Sequence, residues 1–178
     1  MALLRKISLG LAAIYERRFV HRDLKTANVM LRADGDPVII DFGYCENTQA
    51  KKPARKYNVG SPAYMSPEAY LKSYYTAKSD VWSLGVIYHE MLTSKVLDEN
   101  VQMKAYFEKM MRDCGVTLKQ HHRFSQASAR ILNSTLKLNY LERVSAQDLA
   151  TLIDNSVHNL NSNVSCHNQQ APMQSPQT

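Results

Sequence analysis

Two aspartates, an asparagine and a lysine stand at spacings that could serve one reaction. Asp23, Lys25 and Asn28 share the segment His21-Arg22-Asp23-Leu24-Lys25-Thr26-Ala27-Asn28, and Asp41 opens Asp41-Phe42-Gly43. A third segment, Ser66-Pro67-Glu68, follows downstream. Carboxylate and amide oxygens are hard donors of the kind that suits magnesium. Phosphoryl transfer to a hydroxyl asks for in-line geometry and charge neutralisation more than covalent help, and these residue types answer that need. Each acid alone reads as a helix cap or turn residue, and a lone Asp-Phe-Gly means little. The three segments in this order form a far more specific set.

The elements that must position them can be read from periodicity. Leu3, Leu4, Ile7, Leu11 and Ile14 recur at helical spacing and predict a helix over residues 2–17. The short apolar runs Val29–Leu31 and Val38–Ile40 flank Ala33-Asp34-Gly35-Asp36-Pro37, the signature of a β-hairpin between the first two motifs. Residues 44–63 are polar, basic and aperiodic, which predicts a long loop. Ser79 is a candidate N-cap for the stretch from Val81 to Leu92, apolar around most of its circumference and so a buried central helix. Further helices are expected at 99–113, 126–138 and 145–157, the last opened by the capping pair Ser145 and Asp148. Residues 158–178, rich in Asn, Gln and Ser, are expected to be a disordered tail.

Taken together, the motifs resemble the catalytic domain of eukaryotic-type protein kinases, over roughly residues 2–157. That resemblance implies a mainly α fold, the helical C-terminal lobe of a kinase with a small β-hairpin. It implies that Asp23 accepts or orients the proton of the attacking hydroxyl, that Lys25 lies near the transferred phosphate, and that Asn28 and Asp41 hold magnesium on the phosphates of ATP. Met30 resembles the residue beneath the adenine ring. His21 and Phe42 resemble members of a hydrophobic column through the domain, and Asp80 resembles the central-helix aspartate that holds the catalytic-loop backbone. Glu68 and Arg143 resemble a buried ion pair tying the activation segment to the last helices. Lys25 and Ser61 resemble the markers of Ser/Thr rather than Tyr kinases, so the implied acceptor is a protein Ser or Thr. Ala27 stands where basophilic kinases often have Glu, which argues against a strong demand for upstream Arg.

Arg22 resembles the arginine that binds a phosphate in the activation segment, a segment that here begins at Phe42 and Gly43. The usual acceptor position is Tyr57, which reads equally as a packing aromatic; Thr48 and Ser61 are further candidates. The stretches Asp41-Phe42-Gly43-Tyr44-Cys45 and Lys56-Tyr57-Asn58-Val59-Gly60-Ser61-Pro62 resemble the autophagy-initiating kinases. Ser66 replaces the usual Ala, and Thr93-Ser94-Lys95-Val96-Leu97-Asp98 lacks the Gly and Pro-Phe that usually follow the central helix.

Composition narrows the setting. With 178 residues, 44% hydrophobic and 21% charged, the chain suits one ordinary globular domain. No apolar run approaches the roughly 18 residues of a membrane span. Three widely spaced cysteines, Cys45, Cys114 and Cys166, fit a reducing compartment, and a cytoplasmic protein is expected. The net charge of +6 is partly a run at Lys51, Lys52, Arg55 and Lys56, which reads as a solvated loop. No zinc or RNA-binding motif accompanies it, so no nucleic-acid partner is expected.

Only 20 residues precede His21, and the first helix uses most of them. The expectation is therefore a partial kinase domain over residues 1–157, lacking an N-terminal lobe with its Gly-rich loop and phosphate-gripping lysine. Such a chain alone is expected to transfer phosphate poorly. Two other readings stay open: a catalytically inactive kinase-like module for binding or regulation, and a basic interaction domain that retains kinase motifs.

Overall fold

The stripe of Leu4, Ile7 and Leu11 is buried by helix α1 (Ala2–Glu16), so the helical periodicity of the first residues is realised as packing. The chain is described here from a computed structural model at residues 1–49, 59–94 and 125–167, with 158–167 described by backbone alone. After α1 come strand β1 (Phe19–Val20), a short 3₁₀ turn (Thr26–Asn28), β2 (Val29–Leu31), β3 (Pro37–Ile39) and β4 (Glu46–Asn47). A second 3₁₀ turn (Pro62–Tyr64) leads into α2 (Pro67–Lys72), α3 (Ala77–Thr93), α4 (Gln126–Thr135) and α5 (Ala146–His167). The described residues are thus largely helical with two small antiparallel sheets, β1–β4 and β2–β3.

Helix α3 is the axis. Every residue from Ser79 to His89 is buried, as an all-round apolar helix requires. Trp82 and Leu84 meet Leu4 and Ile7 of α1, Ile131 and Leu132 of α4, and Leu149 and Ile153 of α5 in one core. Helix α3 begins two residues earlier than its expected cap, because Thr76 is the N-cap. Ser79 instead accepts the Thr76 backbone N–H at 3.0 Å, completing a capping box, so its role is reciprocal rather than primary.

Three further boundaries differ from expectation. The segment 44–63 is not all loop: β4 pairs with β1, Val20 opposite Glu46, a pairing too short to leave any alternation in sequence. Helix α4 stops at Thr135, three residues early, where Thr135 donates back to the Ile131 carbonyl. Helix α5 runs to His167 rather than 157, so the first ten residues of the expected tail are helical. Val157, Leu160 and Val164 continue a helical spacing of apolar residues through that Asn- and Ser-rich sequence. The helix expected at 99–113, the basic run at 51–56 and Tyr57 lie outside the described residues.

Candidate active site

The loop after β1 is held from below by Asp80. Its carboxylate accepts the His21 N–H at 2.8 Å and the Arg22 N–H at 3.0 Å. Arg22 has a left-handed backbone, φ 69°, which a non-glycine residue adopts only when its surroundings hold it there. Burial pushes the Asp80 carboxyl up from its ordinary range, against the pull of the two amides and of the His21 and Arg22 side chains. The next turn is closed by His21, whose Nδ1 accepts the Asp23 N–H at 3.3 Å. Its Nε2 lies 3.1 Å from the Ile40 carbonyl, and its ring meets Phe42 edge-on at 5.2 Å.

The hairpin brings the second motif to the first. With Val29 opposite Ile39, the Ile40 N–H donates to the Asn28 carbonyl at 2.9 Å, so Asp41 follows directly on a residue bonded to Asn28. The Asn28 amide donates to the Asp23 carbonyl at 2.8 Å and to Asp23 Oδ2 at 3.3 Å. Asp41 has φ 62°, is exposed, and accepts the Gly43 N–H at 3.2 Å. Asp23, Asn28 and Asp41 therefore converge at one end of the hairpin.

The loop that precedes the third segment also reaches Asp23. Ser61 donates to Asp23 Oδ1 through its N–H at 2.8 Å and its hydroxyl at 3.0 Å. Lys25 Nζ pairs with Asp23 Oδ2 at 3.1 Å and donates to the Ser61 hydroxyl at 2.9 Å. Gly60 makes this approach possible: at φ 102°, any Cβ there would lie 2.4 Å from the Arg22 carbonyl oxygen. Further out, Glu68 and Arg143 form the expected buried pair, at 2.7 and 3.0 Å, with side-chain exposures of 5% and 0%. Burial alone would raise the Glu68 carboxyl, but the hydrogen bonds and charge of Arg143 win and hold it below its ordinary value.

Of the residues singled out in sequence, His21, Asp23, Lys25, Asn28, Asp41, Phe42, Gly43, Ser61 and Asp80 lie in this one region. Met30 is on β2 and 57% exposed. Sequence reasoning missed Glu46, Tyr75 and the trio Thr26, Tyr64 and Glu90. Glu46 pairs with Arg22, and the Tyr75 ring lies under the Arg22 guanidinium at 5.3 Å. Glu90 accepts from Thr26 at 2.6 Å and from Tyr64 at 2.9 Å, clasping the catalytic loop to α3. No local pattern marks these residues; each depends on pairing between distant segments.

The donor set fits a magnesium ion shared with a nucleotide. Among the described residues no three His, Cys, Asp or Glu side chains group to hold a metal by themselves. Magnesium commonly takes only one or two carboxylates and completes its shell with phosphate oxygens and water. Asp41, exposed and one residue beyond the Ile40 N–H that bonds the Asn28 carbonyl, offers with Asn28 that kind of partial site.

Comparison with known proteins agrees with the geometry. The family model for the protein kinase domain matches residues 1–152. The chain is 31% identical over 150 residues to serine/threonine-protein kinase ste20 of Aspergillus fumigatus, covering 83% of this chain and 18% of that protein. It is 32% identical over 144 residues to serine/threonine-protein kinase shk2 of Schizosaccharomyces pombe, 80% of this chain and 24% of the relative. Over 107 residues it is 39% identical to probable serine/threonine-protein kinase mkcF of Dictyostelium discoideum, 60% of this chain and 15% of the relative. The chain thus spans less than a quarter of the length of these relatives. Their names do not carry the narrower resemblance to autophagy-initiating kinases.

Proposed function

This chain belongs to the protein kinase domain family, and on that premise we propose that it supplies the catalytic and metal-binding half of a protein Ser/Thr kinase. The observation that carries the reading is the Asp23 carboxylate, held between Ser61, Lys25 and Asn28 beside the end of the hairpin that bears Asp41. Asp23 orients the acceptor hydroxyl and takes its proton as the new P–O bond forms and the bond to the β-phosphate breaks, its electron pair leaving with ADP. Lys25 offsets charge on the transferred group. Asn28 and Asp41 would hold a magnesium ion, whose charge would offset that of the phosphates. Met30 carries the adenine. Ser61 and Lys25 favour a Ser or Thr acceptor, and the protein substrate is met in the cytoplasm. No helix of the described residues is long and apolar enough to cross a membrane.

The groups that grip the α- and β-phosphates are not among the described residues. Lys6 pairs with Asp36 of the hairpin turn and Lys25 with Asp23, so neither is free for that task. A shallow hollow of about 620 Å³ beside the site is lined by Ala13, Ile14, Arg17, Phe19, Phe42 and Cys45, with Phe42 half exposed. We read this face as the seat of an N-terminal lobe. Positioning of nucleotide and acceptor can supply roughly 7 to 11 kcal/mol of the barrier, so these 178 residues alone are expected to turn over slowly.

The test is ATP binding by calorimetry with and without magnesium, in the chain and in Asp41→Asn. Weak binding that needs magnesium and is lost in Asp41→Asn is expected. Binding equally strong without magnesium, or unaffected by the substitution, overturns the assignment of Asp41.

A further inference from the structure

The Arg22 guanidinium is already engaged by groups of this chain. Its side chain is 3% exposed, Nη1 pairs with Glu46, and Nε donates to the Tyr44 carbonyl at 2.6 Å. The β1–β4 register sets this up, because with Val20 opposite Glu46 the chain two residues on brings Arg22 opposite Tyr44. The Tyr75 ring covers the guanidinium face at 5.3 Å. Its phenol accepts the Val59 N–H at 3.0 Å and donates to the Val59 carbonyl at 2.8 Å. Burial pushes that phenol up from its ordinary value, which keeps its proton available to donate. Val59 is followed by Gly60, which passes against the Arg22 carbonyl, and by Ser61, which bonds Asp23. One chain of contacts therefore runs from Glu46 through Arg22, Tyr75 and Val59 to the Asp23 carboxylate.

We propose that Glu46 and Tyr75 are positioning residues that hold the returning end of the activation segment against Asp23 without a phosphate. The Glu46 carboxylate occupies the guanidinium that a phosphorylated loop residue would need. A charge-assisted carboxylate–guanidinium bond is strong and directional, and the shielded Arg22 offers a second anion no open approach. A phosphate brought there would also meet the like charge of Glu46. Anchoring of residues 59–61 is thus built into the sequence, where the resemblance of Arg22 alone implied a switch. The strut rests on geometry; its effect on turnover rests on the kinase reading above.

Hydrogen exchange on the full, unphosphorylated chain tests it. The Val59 and Ser61 amides should be protected, and Glu46→Gln should speed exchange at both by about ten- to a hundredfold. Glu46→Asp should restore most of the protection. Tyr75→Phe, which keeps the ring under Arg22, should release Val59 far more than Ser61. Unprotected amides in the unmodified chain, or no change in Glu46→Gln, overturn the proposal. Should Glu46→Gln fail to fold, Tyr75→Phe decides: unchanged exchange at Val59 overturns it and selective release supports it. Once the chain is joined to a nucleotide-gripping lobe, phosphatase treatment should leave kcat unchanged, while Glu46→Gln should lower kcat with KM for ATP little altered. A joined protein that transfers no phosphate in any form counts against the kinase reading, and the exchange data still decide the strut.

Discussion

The Asp80 carboxylate spans the backbone amides of His21 and Arg22, at 2.8 and 3.0 Å, and so fixes the loop that carries Asp23 from beneath. A carboxylate is needed because both partners are donors. Asp80→Asn keeps one acceptor and turns an N–H₂ toward the other amide. The expected cost is about 1–3 kcal/mol, the penalty of one buried unsatisfied donor. Exchange at His21 and Arg22 should then become unequal, one amide staying protected. Two equally protected amides with an unchanged melting midpoint would show that Asp80 does not set this loop.

Arg143 is the second anchor. Besides Glu68 it donates to the Lys137 and Lys78 carbonyls, and its guanidinium lies over the Trp82 ring at 5.2 Å. Arg143→Ala leaves Glu68 buried and unpaired, which should cost about 3–5 kcal/mol. The melting midpoint should fall by roughly 10 °C for a domain of this size. A drop of only a degree or two would mean that water or a neighbouring group replaces the pair.

The same pair predicts a pH dependence. Glu68 is held below its ordinary value in the folded chain, so its ionised form favours folding. That contribution is full above the ordinary glutamate range and fades as pH falls through the depressed folded value. Asp80 acts in the opposite sense, so the difference between wild type and Glu68→Gln isolates Glu68. The stability gap between them should be widest near neutral pH and close as the solution becomes acid. A gap independent of pH between neutrality and pH values about two units below the ordinary glutamate pKa would contradict the pairing.

What was legible in sequence followed from local signals. The periodicity of α1, the all-apolar α3 and the turn residues of the β2–β3 hairpin each specify an element within a few residues. That hairpin in turn fixes the distance between Asn28 and Asp41. The Glu68–Arg143 pair was legible only through resemblance, since 75 residues separate its partners. Glu46 and Tyr75 were not legible at all. Two-residue strands leave no alternation, and nothing near Tyr75 in the chain distinguishes it from Tyr74. Helix α5 runs past its expected end into residues whose Asn- and Ser-rich composition predicts disorder.

The measurement that bears most directly on the account is phosphate transfer from magnesium-ATP to Ser, Thr and Tyr acceptors. It should be run with this chain alone and with the chain joined to a kinase N-terminal lobe, each beside its Asp23→Asn variant. The account predicts slow or absent transfer by the chain alone and transfer to Ser or Thr by the joined protein. It predicts that Asp23→Asn lowers that rate by about 10²- to 10⁴-fold. Transfer by the joined protein that is confined to Tyr, or that survives Asp23→Asn unchanged, would contradict it.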